Sequence, residues 1–243
     1  MTHKSQLKVE PKDDDSSLSL SKVRSDLIAR GRRDAAILLG PPRPALSDRL
    51  SAIRQLAEEG DAKAQFCLAY VCQRGNKVPQ DHAEAVRWYR LAADQGHTGA
   101  QYDLGFSYMM GELGLPHDYA EAVRWFRLAA DQEDLSAQYY VGLLYEKGRG
   151  VAQNDAEAAR WFRKAADRGV APAQYRLGVM YNEGKGVPQD YVQAHMWFNL
   201  AAAGGEPEAS RGRRKVAKQM TSEDIAEAQR LARNWKVTRG ADE

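Results

Sequence analysis

The stretch that decides the fold is Ala171-Pro172-Ala173-Gln174-Tyr175-Arg176-Leu177-Gly178, followed at fixed distances by Tyr181, Gly184, Gly186-Val187, Asp190, Ala194, Trp197-Phe198, Ala201-Ala202 and Gly205. Upstream it recurs three times. Trp88, Trp125, Trp161 and Trp197 are 37, 36 and 36 residues apart, and Gln65, Gln101, Gln138 and Gln174 are 36, 37 and 36 apart. A self-similarity of this length over four copies marks a solenoid, in which each unit buries its apolar face on its neighbours.

Each copy reads as two helices. Ala173, Leu177, Gly178 and Tyr181 fall on one face of a 3.6-residue period and define a helix A. It stops at a glycine (Gly75, Gly111, Gly148 or Gly184), where a left-handed cap is needed. After a short loop, Asp81 with Glu84, Asp118 with Glu121, Asn154 with Glu157 and Asp190 with Gln193 predict reciprocal capping boxes that open a helix B. Gly105, Gly142 and Gly178 in helix A, and pairs such as Ala165-Ala166 in helix B, predict close helix approach. The recurring tryptophans read as core, and the recurring glutamines as amides bonded to backbone between copies.

The pattern resembles the Sel-one-like repeat, a relative of the tetratricopeptide repeat. It implies an all-α, right-handed α/α superhelical solenoid with copies at 62–97, 98–134, 135–170 and 171–206. Copy one departs with Cys72 at the tyrosine position and Lys77 at the second loop glycine. Copy two inserts a residue within Glu112-Leu113-Gly114 and carries Glu133 in place of a glycine. Cys67 and Cys72 do not reproduce the paired cysteines of disulfide-rich secreted members.

The flanks read as covers for this array. Leu50, Ile53, Leu56, Ala57 and Gly60 keep the frame of a helix B, so 47–61 is expected to be an N-terminal cap, and 207–236 supplies C-terminal capping helices. Residues 1–17 read as a disordered tail, 18–46 as an amphipathic helix followed by the linker Pro41-Pro42-Arg43-Pro44, and 237–243 as a tail.

Composition narrows the chemistry. The 243 residues have a mean hydropathy of −0.62, and no apolar run approaches the roughly 18 residues of a membrane span. The N-terminal residues lack a signal-peptide apolar region, so the expected location is the cytoplasm. Residues 1–46 and 207–243 each carry 9 Lys/Arg against 6 Asp/Glu, with 17 against 21 between them, an asymmetry too weak for a nucleic-acid binder. Cys67 and Cys72, five residues apart on one helix, suit neither a disulfide nor a metal site. The five histidines are scattered and no catalytic motif occurs, so the chain is expected to be no enzyme and to need no cofactor or metal. Gly148-Arg149-Gly150 and Gly184-Lys185-Gly186 follow helices rather than strands and read as turns, not phosphate cradles.

Positions that differ between copies are the ones free to carry specificity. On helix A, offsets of 2, 6 and 9 from the glutamine give Cys67, Val71, Arg74; Asp103, Ser107, Met110; Tyr140, Leu144, Lys147; and Arg176, Met180, Glu183. Helix A commonly lines the concave side of a solenoid, so this set is the candidate groove for a protein or peptide partner, with an ordinary solvated face as the alternative. The resemblance implies a non-enzymatic adaptor or scaffold in bacterial signalling or regulatory complexes. A second expectation is that Arg211, Arg213, Arg214 and Lys215 anchor the chain to nucleic acid or an anionic membrane, although Glu208, Glu223, Asp224 and Glu227 offset that charge.

Overall fold

The computed structural model describes residues 46–75 and 78–235, with side chains from residue 50 onward. The readings made on 1–17, most of 18–46, Lys77 and 237–243 lie outside the described residues. The helices are α1 (Leu46–Glu58), α2 (Ala62–Arg74), α3 (His82–Asp94), α4 (Thr98–Met110), α5 (Tyr119–Asp131), α6 (Leu135–Lys147), α7 (Asp155–Asp167), α8 (Ala171–Glu183), α9 (Tyr191–Ala203), α10 (Ala209–Ala217) and α11 (Ser222–Asn234). Each of α1 to α9 packs on the helix that follows it, the connectivity of an α/α solenoid. Helices α2, α4, α6 and α8 are the A helices, and α3, α5, α7 and α9 the B helices.

Local chemistry sets the helix ends. Gly75, Gly111, Gly148 and Gly184 end the A helices at φ of 63°, 65°, 62° and 68°. The side chains of Asp81, Asp118, Asn154 and Asp190 accept N–H bonds at the B-helix starts. The expected reciprocal bond does not form there. Glu84 instead accepts from the Trp88 indole, and Glu121 and Glu157 pair with Arg124 and Arg160 one turn on, because a charged partner outcompetes a backbone amide for the carboxylate. Both halves of a capping box are present at Thr221 and Asp224. Histidine takes a capping role at His97, whose Nδ1 accepts from the Ala100 N–H at 3.2 Å while its ring stacks on Phe66.

Packing explains the small residues. A Cβ at Gly105, Gly142 or Gly178 would stand 2.7–2.8 Å from the ring of Phe126, Phe162 or Phe198, so helix A rests directly on a helix-B phenylalanine. All four repeat tryptophans are buried. The second loop glycines, Gly150 and Gly186, sit against the backbone of Tyr119–Ala120 and Asp155–Ala156, at the start of the preceding helix B. Any side chain there would collide with backbone, so these loops are inter-repeat contacts. Copy two absorbs its inserted residue differently: Leu113 adopts φ 59° and turns its side chain inward.

The glutamines cross each boundary. Gln65, Gln101, Gln138 and Gln174 donate from Nε2 to the carbonyls of Ala57, Ala93, Ala130 and Ala166 at 3.0–3.3 Å. Gln95 and Gln132 then donate to the Oε1 of Gln65 and Gln101 at 2.7 Å. In copy three Arg168 replaces that second glutamine and reaches back to Glu133 at 3.1 Å, leaving Gln138 Oε1 without a partner. At the C-terminal end, α10 packs on α8 and α9, whereas α11 lies against α9, bringing Trp235 edge-on to Trp197 at 6.3 Å.

Candidate binding surface

An α-helix advances about 100° per residue, so offsets 2, 5, 6 and 9 from the glutamine point roughly 200°, 140°, 240° and 180° around the helix from it, all on the half opposite the glutamine. The neighbouring helices, more than direction alone, divide the candidate positions: only offset 9 is exposed in every copy. Arg74, Met110, Lys147 and Glu183 are exposed, Val71, Asp103 and Arg176 are half-buried, and Cys67, Ser107, Tyr140, Leu144 and Met180 are buried. Those five are packing residues in the free chain. Sequence reasoning missed the row between them at offset 5: Tyr70, Phe106, Leu143 and Val179, half-buried in all four copies. All four are apolar, and that shared character was the available signal, masked by the difference in identity. The open A-helix face is thus an apolar row edged by exposed side chains that change from copy to copy.

Its polar groups are unevenly matched. Arg176 reaches Glu146 at 3.6 Å with both side chains under a fifth accessible, and it also interacts with the Tyr139 hydroxyl. Glu183 pairs with Lys185 at 2.7 Å. Toward the other end, the Arg74 guanidinium lies over the Tyr70 ring at 5.5 Å, and the Tyr89 hydroxyl donates to Gln73 Oε1 at 2.7 Å. Burial pushes the Asp103 carboxyl up to about 7, the neighbouring Asp134 carboxylate adds to the rise, and the Tyr89 hydroxyl opposes it.

The groups with chemical potential are occupied by structure. Burial and the nearby Glu84 carboxylate push the Cys72 thiol up to about 11, away from thiolate chemistry. His195 is buried, and desolvation together with Arg213 lowers its pKa. Among the described residues no group of three or more His, Cys, Asp and Glu is placed to hold a metal ion, and no helix is long and apolar enough to cross a membrane. The basic run is split. Arg213 turns inward to donate to Asn199 Oδ1 at 2.6 Å, Arg211 stands 3.6 Å from Glu208, and Arg214 and Lys215 are exposed.

Comparison with known proteins agrees with this architecture. The family model described as Sel1 repeat matches residues 62–97, 98–134, 135–170 and 171–206. A solved Sel1 repeat protein from Oxalobacter formigenes is 36% identical, with a TM-score of 0.66 over 78% of this chain and 55% of that one. A protective antigen of uropathogenic Escherichia coli strains, described as displaying an SLR fold, is also 36% identical, with a TM-score of 0.62 over 75% of this chain and 43% of that one. The match therefore spans about half the length of these two structures. No curated protein matches.

Proposed function

The chain belongs to the Sel1 repeat family, a family of non-catalytic scaffolds, and from that premise we propose that it is an adaptor holding a peptide or protein partner on the open face of its A helices. The carrying observation is the half-buried row Tyr70, Phe106, Leu143 and Val179, with the non-recurring Arg74, Met110, Lys147 and Glu183 beside it. Phe106, Leu143 and Val179 pack partly on the core, Phe106 against Tyr102 and Tyr140, yet the row stays half open to water, and a partner would cover what remains exposed. A place in a bacterial signalling or regulatory complex is the corresponding biological reading. The test is photo-crosslinking from a benzoylphenylalanine at Phe106, in the native host, against the same group at Leu91 on an exposed B-helix position. Adducts specific to Phe106 support the reading. Equal or stronger adducts at Leu91 transfer the partner to the other face.

A further inference from the structure

The B helices form one layer of the array and run side by side in the same direction, close enough that the Arg163 guanidinium of α7 lies over the Trp197 ring of α9 at 5.1 Å. On the outside of this layer Leu91 of α3 and Leu128 of α5 hold the same position in successive copies. Each is 41% exposed, which places both among the most open large apolar side chains of the described residues. The row is short. Copy three carries Lys164 at this position, its ammonium folded back over the Trp161 ring at 4.0 Å, and copy four carries a half-buried Leu200.

The charge around the two leucines has a direction. Arg87 and Arg90 precede Leu91, and Asp94 follows it; Arg124 and Arg127 precede Leu128, and Asp131 follows it, all six charged side chains being exposed. Contacts within the chain leave this pattern unfinished. Arg87 and Arg124 lie over their own indoles at 4.6 and 4.1 Å, Arg124 also pairs with Glu121, and Arg90 donates to the Tyr108 hydroxyl at 2.7 Å, but a guanidinium has five N–H donors and each keeps some free. Among the described residues the side chains of Arg127, Asp94 and Asp131 make no hydrogen bond or ion pair.

A second copy laid on this face in the same direction would set arginine against arginine. Turned antiparallel, it sets arginine against aspartate. A two-fold axis lying in the plane of the face and crossing both helices at their leucines does this for α3 and α5 at once: Leu91 meets its own image, Leu128 meets its own image, and each aspartate falls beside the arginines of the other copy. Lys164 on the same axis would meet a second ammonium, which confines the contact to α3 and α5.

We propose that the outer face of α3 and α5 is a homodimerisation surface, covered by a second copy of this chain in that antiparallel arrangement. Self-complementarity selects the occupant, because the face carries both signs in the order that its own rotated image requires. Two 13-residue helices about 20 Å long and about 10 Å apart offer roughly 400 Å² per chain, about half of a standard interface, so the dimer is weak and forms reversibly with concentration. It does not depend on where the partner sits. With a partner on each A-helix face, the dimer is a bivalent adaptor.

The experiment is sedimentation velocity on the purified full chain between about 10 μM and about 1 mM, at about 50 and about 300 mM sodium chloride. The expected result is a monomer–dimer equilibrium that weakens at least about threefold at the higher salt. It should vanish in Leu91→Ser/Leu128→Ser, and in Asp94→Lys/Asp131→Lys and Arg90→Glu/Arg127→Glu taken separately, and return when the two charge variants are mixed. All these side chains are exposed, and unchanged helical circular dichroism checks that each variant folds. A monomer at every concentration, association that survives the leucine variant, or a charge-variant mixture that stays monomeric overturns the proposal. Benzoylphenylalanine at Leu91 of the otherwise unaltered, purified chain gives a second readout: an adduct of twice the chain mass, absent from the same group at the equally open Leu56. Equal yields at the two positions overturn the proposal. No host protein is present in this measurement, so its outcome is separate from partner capture at Phe106.

Discussion

A methyl group added at Gly142 would stand 2.7 Å from two atoms of the Phe162 ring, closer than carbon atoms pack. Gly142→Ala gains about 1 kcal/mol of helix propensity but forces the ring or the helix outward, at about 1–3 kcal/mol. We expect a net loss of about 1 kcal/mol, read as a lower urea midpoint at unchanged m; a raised midpoint would mean the helices part at little cost. Glu133 sits at φ 63° and pairs with Arg168 through a well-exposed side chain. Glu133→Ala keeps the unfavourable φ and loses the pair, whereas Glu133→Gly relieves the φ. Thermal denaturation should therefore rank Gly above Ala by about 1 kcal/mol, the reverse of ordinary helix or loop preference. Asp103 gives a pH signature with a defined sign. Its folded-state pKa is raised from 3.8 to about 7, so the native state holds a proton that the unfolded chain releases. Its contribution is fully present below about pH 4 and is lost as pH rises toward 7, by up to ~1.4 kcal/mol per pH unit before solvent screening reduces it. Relative to wild type, Asp103→Asn should gain stability steadily between pH 4 and 7, and a flat difference would mean that the carboxyl titrates normally.

Among the elements, helix B carries the bulk and helix A supplies the recess. Trp161 is buried in α7 with the Lys164 ammonium 4.0 Å from its ring centre, and Arg124 lies over Trp125 at 4.1 Å, so the lysine and arginine stems shield these indoles from water. Trp161→Ala should cost about 3–5 kcal/mol as a large core truncation. Helical circular dichroism with a strongly lowered melting temperature is the expected readout; an unchanged melting temperature would place the indole outside the core. The capping pattern shows how neighbours decide local chemistry. Glu121 and Glu157 have the capping-box spacing, but the arginine one turn ahead on the same helix captures each carboxylate. Asp224 closes its box with Thr221.

Across the whole molecule, stability is a sum of nearest-neighbour interfaces, each built from a glutamine-to-carbonyl bond, a phenylalanine under a glycine and, in the later copies, a loop glycine on the preceding helix start. Removing residues 207–243 takes away α10 and α11 and opens Trp197 and the Asn199 to Arg213 bond. Amide exchange should then accelerate first in α8 and α9, while α2 to α4 keep their protection. Uniform acceleration would show that the array unfolds as one unit. The repeat length, the helix pairs, the glycine caps and the buried tryptophans were legible in the sequence, because each repeats in phase and a recurring residue must answer a recurring contact. The open face was only partly legible. Which of two positions 100° apart faces water is set by the neighbouring helices, so Ser107 and Leu144 turned inward while Phe106 and Leu143 stayed half open. By itself the sequence determined the solenoid, since 36-residue periodicity, capping chemistry and small-residue placement act locally and identically in every copy. Tertiary structure alone decided what happens once per molecule: Arg168 with Glu133, the inward Arg213, and the burial that raises the Asp103 carboxyl. The reason is physical, because each depends on groups brought together from different repeats, at distances that no spacing along the chain encodes.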